Sequence, residues 1–225
     1  MARFPLALCL ALFAVALRAQ TPPAPVLAGS IEGRNYVSPT GVFKIAVPVL
    51  PELGGEITDT PNVVTFQDAF NVHVTIAAFP QDATQRWELS TRGLKDYLIY
   101  FFSNFVLADF KQTFAGVQIE SAKFLPGTLD GTLLTYILIP GGTMFGNRVP
   151  AIADDRIPVA KRGNFVFVRS GHIFVVSIEL AERVIEGKAY AKTVAEEDEL
   201  LRNRLADIAN KIQFAKSPAA DAAKK

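Results

Sequence analysis

The chain has 225 residues, half of them hydrophobic and a fifth charged, with a formal net charge of +1. That length and balance fit one globular domain able to bury a substantial core and exclude an intrinsically disordered chain. A near-neutral chain without clustered Lys and Arg also excludes a nucleic-acid footprint, which needs basic groups to displace counterions from phosphates.

The opening MARFPLALCLALFAVALRAQ combines Arg3, an apolar run from Phe4 to Leu17, and Ala19 in front of Gln20, the three parts of a secretory signal. The run is shorter than the roughly 20 residues a spanning helix needs. The expectation is therefore export to a periplasmic or secreted location with cleavage near Ala19, an uncleaved membrane anchor being the alternative. Cys9 follows Leu8 rather than a small residue, which argues against lipidation. Removing the leader takes Arg3 and Arg18 with it and leaves 21 basic against 22 acidic residues and no cysteine. Disulfides, thiol nucleophiles and cysteine metal sites then drop out of consideration, and no transmembrane helix remains in the mature chain.

Residues 20–35, rich in Pro, Ala and Gly, read as a flexible spacer, and 215–225 as a disordered tail around one domain over 36–214. Within it, GVFKIAVP alternates Phe43, Ile45 and Val47 against Lys44 and Ala46 and reads as a strand stopped by Pro48. EITD, NVVTFQD and NVHVTIAAF continue as an antiparallel meander. A helix is expected from about Thr91 to Phe110, then a strand pair, GVQIESAKF and GTLLTYILI, and a long Gly- and Pro-containing connection over 140–163. NFVFVRSGHIFVVSIEL reads as a hairpin turning at Ser170 and Gly171. The final element, TVAEEDELLRNRLADIANKIQF, places Leu201, Leu205, Ile208 and Ile212 on one stripe. Thr193 and Glu196 form its capping box.

The segment KDYLIYFFSNFVLADF is greasier than a surface helix requires. As a regular helix it puts Leu94, Leu98, Phe101, Phe102 and Phe105 on one face for a sheet, and Ile99, Tyr100, Val106 and Leu107 around Ser103 on the other. A helix apolar on both sides is expected to be covered on both. Three covers are open: the 140–163 connection or a terminal segment, a protein partner or second copy, and a lipid headgroup layer. Trp87, just before the helix, reads as a lid of the core or a ligand-stacking platform.

Catalytic patterns are weak. His73 stands opposite Val72 and Val74 on its strand and reads as structural or solvent-facing. His172 follows Ser170 and Gly171, but no nucleophile elbow surrounds any serine. Asp154 and Asp155 lack the spaced acidic series a calcium loop needs and read as a solvated turn. Gly141 and Gly146 are followed by Asn147 and Arg148 where a phosphate loop needs Lys and Ser or Thr. No catalytic, metal or cofactor site is expected.

The opening Y-x-S-P-x-G-x-F-x-I-x-x-P from Tyr36 to Pro48, followed by a meander, a long helix, further antiparallel strands and a closing helix, resembles the PsbP-like superfamily of PsbP- and DcrB-type exported proteins. The resemblance spans about residues 36–214 and rests on Ser38, Pro39, Gly41, Phe43, Ile45 and Pro48. It implies an α+β fold: a central antiparallel sheet of about six or seven strands sandwiched by helices in α/β/α layers, serving as a binding or accessory module rather than an enzyme. The hairpin-dominated order of elements reaches the same class by itself.

Two functional readings follow. The first is an exported, non-catalytic envelope protein that binds a protein partner or self-associates through the 97–107 helix or the 140–163 loop. The alternative is a binder of a small apolar molecule or lipid in a pocket between sheet and helix, with Trp87, Tyr97 and Tyr100 at its mouth. A hydrolase using His73 or His172 ranks below both.

Overall fold

The computed structural model describes residues 26–145 and 157–215. The leader with Cys9, the start of the spacer, the segment 146–156 with Gly146, Asn147, Arg148, Asp154 and Asp155, and residues 216–225 lie outside them. Eleven strands and five α-helices are described. In chain order they are β1 (Ser30–Glu32), β2 (Asn35–Val37), β3 (Phe43–Ala46), β4 (Glu56–Asp59), β5 (Val63–Gln67), β6 (His73–Pro80), α1 (Ala83–Arg92) and α2 (Leu94–Phe101). After a π-helical turn over Phe102–Val106 come α3 (Leu107–Thr113), β7 (Gln118–Leu125), β8 (Thr132–Pro140), β9 (Val159–Arg169), β10 (His172–Glu179), α4 (Ala181–Ile185), α5 (Val194–Lys211) and β11 (Ile212–Phe214).

Seven strands form one antiparallel sheet in the order β4-β5-β6-β10-β9-β8-β7, and a smaller sheet runs β1-β2-β3-β11. The fold is α+β and PsbP-like, as the sequence implies. Side chains alternate across the large sheet, so each central strand serves two cores. On β10, Phe174, Val176 and Ile178 face α5 and the small sheet, whereas Ile173 and Val175 face α2 and α3. The hairpin joining β9 and β10 turns on Ser170 and Gly171, both left-handed at φ 48° and 72°, as a two-residue turn of the type that follows strand twist requires.

Helix α5 starts with the expected capping box: the Glu196 carboxylate accepts from Thr193 N at 2.7 Å, and Thr193 Oγ1 accepts from Glu196 N at 3.4 Å. Leu201, Leu205 and Ile208 bury its stripe. The helix crosses β9 at Gly163, where an added Cβ would stand 3.0 Å from Leu205 Cδ1 and 3.2 Å from Leu201 Cβ. The Tyr36–Pro48 motif serves packing. Tyr36, Phe43 and Ile45 enter the core, while Gly41 takes φ 69° to close a turn in which Ser38 Oγ accepts from Phe43 N at 3.2 Å.

Four expectations need correction. The spacer read through residue 35 is ordered from Ser30, because β1 pairs with β2 and the Asp59 carboxylate accepts from Ala28 N and Gly29 N at 2.8 Å. The strand at Phe43 leaves the meander and pairs instead with β11, the extended end of the closing helix segment. Helix α1 begins at Ala83, earlier than Thr91; it buries none of its side chains and so carries no apolar stripe to read. The connection over 140–163 already becomes strand at Val159, because Lys161 and Arg162, which read as loop charges, are neutralised by buried carboxylates.

Gly163→Val should overpack the α5–β9 contact and lower stability by about 1–3 kcal/mol, measured as a shift of the urea midpoint without a change of slope.

Candidate functional site

The helical layer opposite α5 creates a cleft because of how it is built. Asp82 caps α1, accepting from Gln85 N at 2.7 Å. Gly93, at φ 77°, breaks the helix and lets the chain restart as α2. Leu94 then lies over the β7–β8 turn, where an added Cβ on Gly131 would be 2.6 Å from Leu94 Cδ2. Tyr97, Leu98 and Phe102 pack against Leu133 and Ile137 of β8 and Val166 of β9. The layer thus seals the β8–β9 half of the sheet.

The β5–β6–β10 half is covered less closely and forms the floor of a cleft of about 680 Å³. Strand register orders that floor. Phe79 pairs with Ile173, Ala77 with Val175 and Val63, and Thr75 with Ser177. Phe101, Phe105, Val106 and Phe110 form the helical wall, and Asp82, Gln85, Asn104, Asp109 and Gln112 complete the lining. Phe101 stacks on Phe105 with ring centroids 5.1 Å apart.

Beyond the apolar floor a polar row crosses the same face. Thr65, Thr75, Ser177, Asn164 and Thr135 are successive cross-strand partners. Ser177 Oγ donates to Asn164 Oδ1 at 2.6 Å, Asn164 Nδ2 donates to Thr135 Oγ1 at 3.2 Å, and the Thr65 and Thr75 hydroxyls share a 3.3 Å bond. In the next row Glu179 is fully buried; it accepts from Thr143 Oγ1 at 2.5 Å, Met144 N at 3.1 Å and Arg162 Nη2 at 3.3 Å. Burial holds the Arg162 guanidinium below its ordinary pKa despite Glu179. Its Cζ lies 5.4 Å from the Phe110 ring centroid.

His73 belongs to this buried row, T-shaped against Phe145 at 6.5 Å. Burial, with repulsion from Arg162, depresses its pKa to about 3. Among the described residues no hydroxyl or carboxylate bonds its Nδ1, and the neutral ring packs against Phe145. Near the β9–β10 turn, Ser170 Oγ donates to the Ala215 carbonyl at 2.9 Å, and His172 Nδ1 lies 3.0 Å from the Ser170 carbonyl. The serine hydroxyl and the imidazole are therefore engaged elsewhere, not with each other. Among the described residues no group of three His, Cys, Asp or Glu side chains is placed to hold a metal ion.

The six residues singled out by sequence do not converge. Trp87 stands 61% exposed on α1 and Ile99 41% exposed on α2. Tyr100 is half-buried, with the Arg92 guanidinium 4.3 Å above its ring. Tyr97 and Leu107, expected at a mouth and on an outer face, are buried in the core, and the Tyr97 hydroxyl donates to Gln85 Oε1 at 3.0 Å. Only Val106 of the six lines the cleft. The π turn explains the exchange: its extra residue rotates everything after it by one position, so Leu107 replaces Phe105 against the sheet and Phe105 turns out, 45% exposed. No sequence signal marked that turn. The polar row did leave one, in Thr75 and Ser177 interrupting otherwise apolar strands.

No family model matches the chain, and no curated protein matches it. Solved structures do. The solution structure of cyanobacterial PsbP (CyanoP) from Synechocystis sp. PCC 6803 is similar at a TM-score of 0.50 and 13% identity, over 83% of this chain and 98% of that one. The Ran-binding protein Mog1p of Saccharomyces cerevisiae follows at 0.46 and 10%, over 82% and 96%. A protein of Bacteroides thetaiotaomicron VPI-5482 gives 0.40 and 12%, over 83% of this chain and 50% of that one. At these identities the similarity concerns the fold alone, and the fold is PsbP-like. Among the described residues no helix is long and apolar enough to cross a membrane.

Two measurements test this geometry. Leu107→Ala should cost about 2–5 kcal/mol in urea unfolding, and Phe105→Ser no more than about 1 kcal/mol, the reverse of the order a regular helix would give. Because the unfolded chain protonates His73 near 6.5 and the folded chain only near 3, stability should be full above pH 6.5 and fall as the pH drops toward 3. The loss should approach about 1.4 kcal/mol per pH unit and flatten in His73→Phe, read from urea midpoints at neutral and mildly acidic pH.

Proposed function

We propose that this chain is an exported, non-catalytic binding module whose ligand seat is the cleft between the β5–β6–β10 floor and the α2–α3 wall. One observation carries the reading: about 680 Å³ of concave space walled by Phe101, Phe105, Val106 and Phe110. Small-molecule sites are typically clefts of about 300–1,000 Å³, mostly apolar with a few polar groups. An apolar molecule that excludes water from these rings gains roughly 25 cal/mol per Å² of surface covered. The secretory pattern over residues 1–19 supports export, and the single domain expected over 36–214 would be the exported unit.

Exposure of Trp87 and Ile99 favours a second reading, an accessory protein that meets a protein partner or another copy through the outer face of α1 and α2.

Amide shifts during titration with 1-octanol separate the two. Changes at Ala77, Val175 and Val106, at least tenfold weaker in Phe105→Asp, are expected for the cleft. Absence of binding, or changes confined to α1 and the Ile99 face, would overturn it.

A further inference from the structure

The lining of the cleft is one-sided in charge and in hydrogen-bonding capacity. Among the described residues its only ionisable groups are Asp82 and Asp109, and no described Lys, Arg or His lines it. The basic residues nearest in sequence are turned away or engaged. Arg86 donates to the Gln81 carbonyl. Lys111 follows Asp109 by two positions, about 200° around the helix. Arg162, behind Phe110, is paired with Glu179.

The neutral polar groups lean the same way. Asn104 commits one Nδ2 hydrogen to the Tyr100 carbonyl at 2.8 Å and keeps Oδ1 as an acceptor. Ser177 has given its proton to Asn164, so its oxygen can only accept. Gln85, Gln112, the second Nδ2 hydrogen of Asn104 and the Thr75 hydroxyl are the neutral donors, and none of them carries charge. A carboxylate or phosphate headgroup would meet two carboxylates and only neutral donors, whereas an ammonium or amide N–H would meet acceptors that include both charges.

Resting on the reading of the cleft as a ligand seat, we infer that its ligand is a small amphiphile with an apolar body and a cationic or N–H-donating head, and that acidic amphiphiles are discriminated against. The rings hold the body over Ala77 and Val175. The head reaches Asp109, one helical turn beyond Phe105, or Asp82 at the Phe79 end of the floor. Both carboxylates are exposed, so the preference is moderate and salt-dependent.

The test uses three ligands of equal chain length at neutral pH: 1-octanol, octylammonium and octanoate, titrated against the full mature chain by calorimetry with amide shifts to locate the site. At low salt octylammonium should bind about fivefold or more tighter than octanoate, and the gap should close in about molar salt, where the Debye length is only about 3 Å. The Asp82→Asn, Asp109→Asn double variant should lose the preference for octylammonium over octanoate while octanol still shifts the Ala77 and Val175 amides; Asn at position 82 still caps α1. Octanoate binding as tightly as octylammonium, with octanol still in the cleft, would overturn the charge selection alone. If none of the three binds in the cleft, both the selection and the seat it rests on fall.

Discussion

The central strands of the large sheet are apolar on both faces, and a sheet of that kind has to be covered twice. Helix α5 and the small sheet cover one face around Phe165, Phe167 and Phe174. The α2–α3 layer has to cover the other with far fewer residues, and it seals only the β8–β9 half. The half covered less closely is the cleft. Its existence follows from a mismatch between a seven-stranded sheet and a single run of helix, since strands about 4.8 Å apart span roughly 29 Å, close to three helical widths of about 10 Å.

The α5 side is fastened by charge as well as by packing. Lys161 is fully buried and lies 2.5 Å from Glu120, 2.9 Å from Glu197 and 2.6 Å from Asp198. Burial opposes its charge, yet the carboxylates overcome this and hold its pKa above the usual lysine value. Glu197 also accepts from Arg183 at 2.7 Å and from the Tyr190 hydroxyl at 2.9 Å. The Tyr136 hydroxyl, pushed up to about 12 by burial and by Asp198, donates to the Asp198 carbonyl at 2.6 Å. Such a cluster adds little net stability over a hydrophobic replacement, because desolvation consumes the Coulomb gain. It does specify register: only one placement of the α5 N-terminus over β9 satisfies Lys161, and Gly163, two residues on, grants the close approach.

The fold was readable where chemistry and periodicity agree. The alternation of β10, the Ser170–Gly171 turn and the Thr193–Glu196 box each point to one local structure, and the sheet of six or seven strands follows from them. What escaped was decided by tertiary partners. Lys161 and Arg162 read as loop because a lone strand cannot neutralise them; Glu197 and Glu179, distant in sequence, do. Phe43 reads as part of a meander because its strand partner, β11, is supplied by the chain's far end. Helix α1 escaped because none of its side chains is fully buried, so it shows no apolar stripe. The site was less legible still. A helical wheel presumes 100° per residue throughout, and the turn at Phe102–Val106 breaks that assumption in the middle of the segment that mattered.

That turn ties packing to the proposed role. A π turn costs hydrogen-bond geometry relative to regular helix and survives where tertiary contacts compensate. Here Leu107 is the compensation: it reaches the core only because the turn advances the helix by one residue. The same rotation pushes Phe105 out to stack on Phe101 and line the cleft. A regular helix would have placed Phe105 against the sheet and left Leu107 in water, filling with a ring the space that is now open. The aromatic wall and the gap it faces are thus consequences of one irregularity, and the segment with the greatest apolar excess is the one that lines the opening.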